Sequence, residues 1–176
     1  AMCEVLCGSV NPSGKLPISF PETVGQLPVY YNRLNGTRDR YVDGGSAPLY
    51  SFGDGLSYTE FRYDRLKVDA SGYAQSGCVN VEVSVQNAGA VTGKETVMVF
   101  VSDEFSSTVK AGLELKAFEK TELLPGEVKT LKFPLGSDAL KTLGRDMVWR
   151  VEPGKFTVYA GGSLKNLLSA EFEILK

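Results

Sequence analysis

The chain has 176 residues, 43% of them apolar, 23% charged and 10% aromatic, enough material for a folded core and too apolar for wholesale disorder. Its 19 basic and 21 acidic side chains leave a formal charge of −2 with no run of Lys or Arg, so no nucleic-acid partner is expected; no apolar run approaches the ~18–20 residues of a bilayer span, so no membrane partner is expected either. There is no histidine, which removes Ser-His-Asp and Cys-His catalysis, and three cysteines cannot complete a four-ligand zinc site, so neither a metal nor another cofactor is expected.

Ala1 to Cys7 reads as the last turns of a helix, with Gly8 in the position after its end that tolerates left-handed dihedrals. Nothing at this end has the basic start and long apolar centre of a secretory leader. Cys3 and Cys7, at i and i+4, are expected to be buried small hydrophobes. The odd cysteine count lends no support to an oxidising compartment. Leu16, Ile18 and Phe20 alternate across a short strand that Pro17 restricts to an edge or a bulge. After Pro21 no period appears for about forty residues, because Pro28, Pro48 and repeated glycines interrupt every candidate element.

That same stretch carries Tyr30, Tyr31, Tyr41, Tyr50, Phe52 and Tyr58, whereas solvated linkers are poor in aromatics. It is expected to pack over a surface, either the following domain or a partner domain. Within it, Asp39 and Asp43, flanked by Arg38, Arg40 and Tyr41, are the best local carboxylate candidates. Their plain reading is a solvated loop with surface ion pairs worth ~0–1 kcal/mol. Asn35-Gly36-Thr37 fits both a glycosylation acceptor and a turn. The Gly53 and Gly55 pair lacks the lysine and the strand-to-helix frame of a phosphate loop, and is expected to turn the chain into the next domain.

From Phe61 onward the sequence reads as strands. Val79, Val81, Val83 and Val85 alternate with Asn80, Glu82, Ser84 and Gln86, the signature of a half-buried strand. Val97, Val99 and Val101 repeat it, but Met98 and Phe100 make the opposite face apolar too, so this strand is expected to be covered on both sides. Leu115 and Phe118, then Leu131, Phe133 and Leu135, then Phe156, Val158 and Ala160, and finally Ala170, Phe172 and Ile174 mark further strands. Ser137 to Leu143 resembles a helical turn with Ser137 as N-cap. Trp149, the only tryptophan, is expected to be a core or sheet-packing residue in a short strand from Val148 to Val151. The pattern describes a mainly β fold, an immunoglobulin or fibronectin III-like antiparallel β-sandwich, preceded by an extended arm.

The arm also carries Asn11-Pro-Ser-Gly-Lys-Leu-Pro17, Phe20-Pro21, Val24-Gly-Gln-Leu-Pro-Val-Tyr-Tyr31 and Pro48-Leu-Tyr-Ser-Phe-Gly-Asp-Gly-Leu-Ser-Tyr-Thr59. With Leu115-Lys-Ala-Phe-Glu-Lys120, Leu124-Pro-Gly-Glu127 and Val151-Glu-Pro-Gly154, these resemble in order the C-terminal part of glycoside hydrolase family 3, especially its bacterial periplasmic β-glucosidases. Asp54 departs from the pattern, standing where relatives usually carry an aromatic residue or His.

The resemblance implies that residues 1–60 are the tail of an α/β sandwich domain plus a linker arm, and residues 61–176 a fibronectin type III-like domain. It implies a parent enzyme that removes terminal non-reducing β-D-glycosyl residues with retention, by two carboxyls about 5–5.5 Å apart. The family's nucleophile and acid/base lie upstream of every motif found here, so no catalytic residue transfers and this chain alone is expected to be inactive. The implied partners are the upstream barrel and α/β domains of the same enzyme and, in the intact enzyme, a β-glycoside or oligosaccharide; a homodimer stays open. A periplasmic or extracellular setting is slightly favoured by the likeness.

The resemblance also implies that in an intact relative the loop of Arg40, Tyr41 and Asp43 lies between domains, and it is expected to border the acceptor side of the sugar pocket, where Arg40 would donate to hydroxyls and Tyr41 would stack on a pyranose. Two alternatives stand beside this. One is a free-standing carbohydrate-binding or adhesion module, which would need an exposed aromatic strip on the sandwich. The other is a separate subunit that joins a catalytic chain.

Overall fold

A computed structural model of the chain describes residues 2–34, 45–71, 73 and 77–175. The polypeptide begins with helix α1 (Met2–Leu6), ended by Gly8 at φ +77°, as expected, with Ser9 N–H donating to the Glu4 carbonyl at 2.8 Å. None of α1 is buried, and Cys3 and Cys7 are exposed, with their sulfurs 3.8 Å apart. The expectation of buried cysteines is corrected: the Tyr58 hydroxyl donates to the Val5 carbonyl at 2.6 Å, but both cysteines stay exposed. The strand expected over Leu16–Phe20 reduces to one antiparallel bridge, Phe20 with Tyr50; Pro17 supplies no N–H to a ladder.

Among the described residues nine strands follow, β1 (Phe61–Asp69), β2 (Cys78–Asn87), β3 (Gly93–Asp103), β4 (Glu114–Leu123), β5 (Val128–Gly136), β6 (Thr142–Leu143), β7 (Trp149–Arg150), β8 (Gly154–Gly161) and β9 (Leu168–Ile174). One sheet has the order β1-β2-β5 and the other β4-β3-β8-β9, all pairs antiparallel; β6 and β7 form a separate ribbon. The two large sheets enclose the core. Val79, Val81, Val83 and Val85 of β2 face Val97, Val99 and Val101 of β3, with Phe133, Phe156, Val158 and Phe172 between them. Each such side chain contributes roughly 1.5–3 kcal/mol by leaving water.

Strand β1 changes parity on the way. Phe61 and Tyr63 point toward the core, a register shift falls between Tyr63 and Arg65, and beyond it Leu66 and Val68 face the core again. One extra residue at Asp64 is what a bulge inserts. Helix α2 is shorter than the helical turn expected, Ser137–Leu140, and Gly136 rather than Ser137 is its N-cap. Ser137 is instead the first helical residue, and its carbonyl accepts from Lys141 N–H.

The arm lies over the outer face of the β4-β3-β8-β9 sheet. Phe52 stacks on Tyr31 at 4.3 Å, and both rings meet Phe100 edge-on at 6.2 and 6.1 Å. β3 is therefore covered on both sides, as its apolar Met98 and Phe100 required.

Candidate functional site

Arg40, Tyr41 and Asp43, with Asp39, Arg38 and the Asn35-Gly36-Thr37 tripeptide, lie outside the described residues. The residues on either side of that stretch are placed. Leu34 bridges Ala111, and Gly112 N–H donates to the Arg33 carbonyl at 2.8 Å. On the far side, the buried Gln26 amide donates to the carbonyls of Gly45 at 3.0 Å and Ala47 at 2.7 Å, while its oxygen accepts from Glu22 N–H. Arg33 and Leu34 thus lie beside the β3–β4 connection.

The Phe52–Thr59 segment does turn the chain into β1. Gly53 has φ +83°, and a Cβ there would stand 2.5 Å from the end of Met98, so the turn needs glycine twice over. Asp54, the departure from the family pattern, accepts from Ser51 N–H at 3.0 Å and pairs with Lys165 at 2.6 Å, tying the turn to the β8–β9 connection. Beside it an open groove of about 930 Å³ is lined by Leu16, Phe20, Tyr50 and Leu56 together with Asp54 and Lys165.

Below this groove sits a polar cluster that sequence reasoning missed. Glu95 of β3, 4% exposed, pairs with Lys15 of the arm at 3.2 Å and accepts from the Tyr63 hydroxyl at 2.9 Å. Gly162 allows the approach, since a Cβ there would meet the Glu95 carboxylate at 1.9 Å. Burial raises the Tyr63 hydroxyl far above its ordinary pKa, and the Glu95 charge pushes the same way. The three residues join arm, β1 and β3; no local signal marks them, because Lys15 and Glu95 are 80 positions apart.

Several carboxylates of the described residues are engaged in holding structure. Asp103 is 6% exposed and pairs with Lys110 at 3.2 Å. Glu152 lies below the usual glutamate range, first because the Ser107 hydroxyl and then because the Ser107 amide donate to it. Asp146 is lowered by Arg150, and Asp138 by Lys141. A glycosidic general acid needs the opposite displacement, a carboxyl raised toward neutrality. No group of three His, Cys, Asp or Glu suited to a metal occurs among the described residues.

At the end of the sandwich where β3 finishes, the structure again departs from expectation. Trp149 does pair within a strand, opposite Leu143, but it is 58% exposed rather than part of the core. The β6–β7 ribbon presents one face to solvent, and Lys141 Nζ lies 5.4 Å from the indole centroid.

Residues 1–58 match the family model of the glycosyl hydrolase family 3 C-terminal domain, and residues 95–164 that of a fibronectin type III-like domain. The chain is 40% identical to the periplasmic β-glucosidase of Salmonella typhimurium, over 99% of its own length and 24% of that protein's. It is 43% identical to a β-xylosidase of Formosa agariphila, over 94% of this chain and 23% of that one. Among solved structures, a β-glucosidase from Erythrobacter marinus superposes with a TM-score of 0.90 at 36% identity, covering 99% of this chain and 23% of that one. A β-glucosidase from Listeria innocua in complex with glucose gives 0.88 at 35% identity, covering 98% and 25%. The chain thus spans about a quarter of the length of the relatives it matches.

Proposed function

Since the chain belongs to glycoside hydrolase family 3, we propose that it serves as the non-catalytic C-terminal portion of a retaining β-glucosidase-like enzyme. Residues 1–60 complete that enzyme's α/β sandwich domain, and residues 61–176 are the fibronectin type III-like domain that braces it. The observation that carries this reading is the two-sidedness of the arm. Its inner side chains, Tyr31 and Phe52, pack on Phe100, while Ile18, Val24, Leu27, Leu49 and Leu56 face solvent, Val24 at 87% and Leu56 at 84% exposure. An arm that already rests on one surface and still presents a row of large apolar groups is built to be covered from the other side.

In the intact enzyme the reaction is hydrolysis of terminal non-reducing β-D-glycosyl residues. The relatives named above include glucosidases and a xylosidase, and the sugar is chosen by residues beyond those present here. Arg40, Tyr41 and Asp43 border the acceptor side of that enzyme's pocket, Arg40 donating to hydroxyls and Tyr41 stacking on the ring.

The test is direct. Pure, mass-verified 176-residue protein should release no phenol from aryl β-glucosides or aryl β-xylosides, and robust turnover would overturn the reading. For the acceptor side, Tyr41→Ala in the full-length enzyme should raise KM for a disaccharide more than for an aryl glycoside. Unchanged kinetics on both would remove that role.

A further inference from the structure

We propose that the connection between β3 and β4 and the β6–β7 ribbon together form an accessory carbohydrate-binding surface on the sandwich, with Trp149 and Phe105 as its aromatic platforms. Two exposed connections are stitched to each other here by side chains. The Ser106 and Thr142 hydroxyls are 3.2 Å apart, and Thr108 Oγ1 donates to the Leu143 carbonyl at 2.9 Å. Ser107 donates to the Glu152 carboxylate twice, from its amide at 2.9 Å and its hydroxyl at 2.5 Å. Asp103 and Lys110 close the base of the β3–β4 connection with a largely buried ion pair. Residues 103–110 surround a concavity of about 290 Å³.

Large apolar side chains stand in the open beside these bonds. Phe105 is 78% exposed, Trp149 58%, and Val109 and Met147 are also solvent-facing. The ribbon's turn holds Met147 at φ +62°, with Gly144 N–H donating to the Val148 carbonyl and Met147 N–H to the Gly144 carbonyl, both at 3.0 Å. A non-glycine residue kept in the left-handed region persists only where its surroundings over-determine it, and such positions gather at binding sites.

The chemistry around the indole selects the occupant. Lys141, itself paired with Asp138 at 2.7 Å, lies over the Trp149 ring, and Arg150, next in the chain, is paired with Asp146. These two ion pairs flank the aromatic residue with charged donors and acceptors. A pyranose suits the arrangement: its C–H face meets an aromatic face, and its equatorial hydroxyls meet charged donors and acceptors around the rim. An oligosaccharide that engages Trp149 and Phe105 together gains contacts that a monosaccharide cannot make, so affinity should rise with chain length.

Trp149 is the only tryptophan, so its fluorescence reports on this surface alone. Titration of the 176-residue chain with cellotetraose and with xylotetraose should give a saturable change for at least one, and glucose a change at least tenfold weaker in affinity. Phe105→Ala, a substitution at an exposed site, should keep the melting temperature and weaken binding at least tenfold. No saturable change up to millimolar oligosaccharide in folded protein overturns the proposal, as does a Phe105→Ala variant that titrates like the parent. A Trp149 response to rising protein concentration or to added upstream domains, with none to sugar, overturns it in favour of a protein interface. The outcome is independent of the bracing role. Binding without turnover leaves both standing, turnover sinks the bracing role alone, and absent binding sinks the sugar surface alone.

Discussion

Asn87 at the end of β2 is fully buried, and its side chain uses its full hydrogen-bonding capacity. Its oxygen accepts from the Thr59 hydroxyl at 2.5 Å and Gly89 N–H at 3.1 Å, and its nitrogen donates to the carbonyls of Val91 at 2.8 Å and Leu123 at 3.0 Å. It joins the entry to β1, the β2–β3 turn and the end of β4 at one point. Leaving buried polar groups without partners costs about 1–3 kcal/mol each. Asn87→Ala should therefore lower unfolding stability by ~2–4 kcal/mol in a urea titration. Asn87→Asp should do no better, since a carboxylate cannot donate to the two carbonyls. A loss under about 0.5 kcal/mol for Asn87→Ala would contradict this account. Glu95 poses the complementary case. Tyr63→Phe removes one donor to a buried charge that keeps Lys15, at a cost of about 1.5–3 kcal/mol. Gly162→Ala pushes a methyl into the carboxylate itself and should displace Lys15 as well. It should be the more damaging of the two in the same titration, and the reverse order would mean that the cluster tolerates repacking.

At the scale of elements, the bond between the β3–β4 connection and Glu152 carries a pH dependence whose sign follows from its direction. Glu152 is held below its ordinary value of 4.5 by the Ser107 hydroxyl and amide. A depressed folded-state pKa means that the contribution is fully present above the unfolded value and is lost as pH falls through the folded one. The melting-temperature gap between the parent chain and Glu152→Gln should be present at neutral pH and close as pH drops below 4.5. A gap that stays constant into strong acid would show that the charge is irrelevant to the bond. The strands on either side were readable beforehand because alternation reports burial directly: the valines of β2 and β3, Phe156 of β8 and Phe172 of β9 all face the core. Alternation says nothing about which sheet a short strand joins. A two-residue ribbon outside both sheets therefore exposes Trp149 where the pattern suggested a core. Nor does it foresee the parity change in β1, because a bulge is a property of the pair rather than of either strand. Cys3 and Cys7 misled for a related reason: residue type predicts burial only when something is there to bury against. Of the candidate site, the covered face of β3 and the turn at Gly53 were legible. Glu95, Lys15 and Asn87 were not, since their partners meet only after folding.

For the molecule as a whole, the inter-sheet core and the arm contact are separable. Among the described residues, none of those that fill the space between the sheets comes from residues 1–60. The arm instead covers the outer face, where Phe100 is fully buried and Met98 nearly so. Residues 61–176 should fold without the arm, but with two large apolar side chains returned to water and Glu95 deprived of Lys15. At roughly 1.5–3 kcal/mol for each apolar side chain exposed, the isolated sandwich should be ~3–6 kcal/mol less stable than the full chain. It should still unfold cooperatively, and it should bind a hydrophobic dye at the uncovered face. Phe100→Ala separates the contributions. In the full chain it should cost ~3–5 kcal/mol, because Tyr31 and Phe52 lose the ring they meet edge-on. In the armless fragment, where the same ring already faces solvent, it should cost far less. Equal costs in the two backgrounds would mean that the arm does not hold the outer face closed.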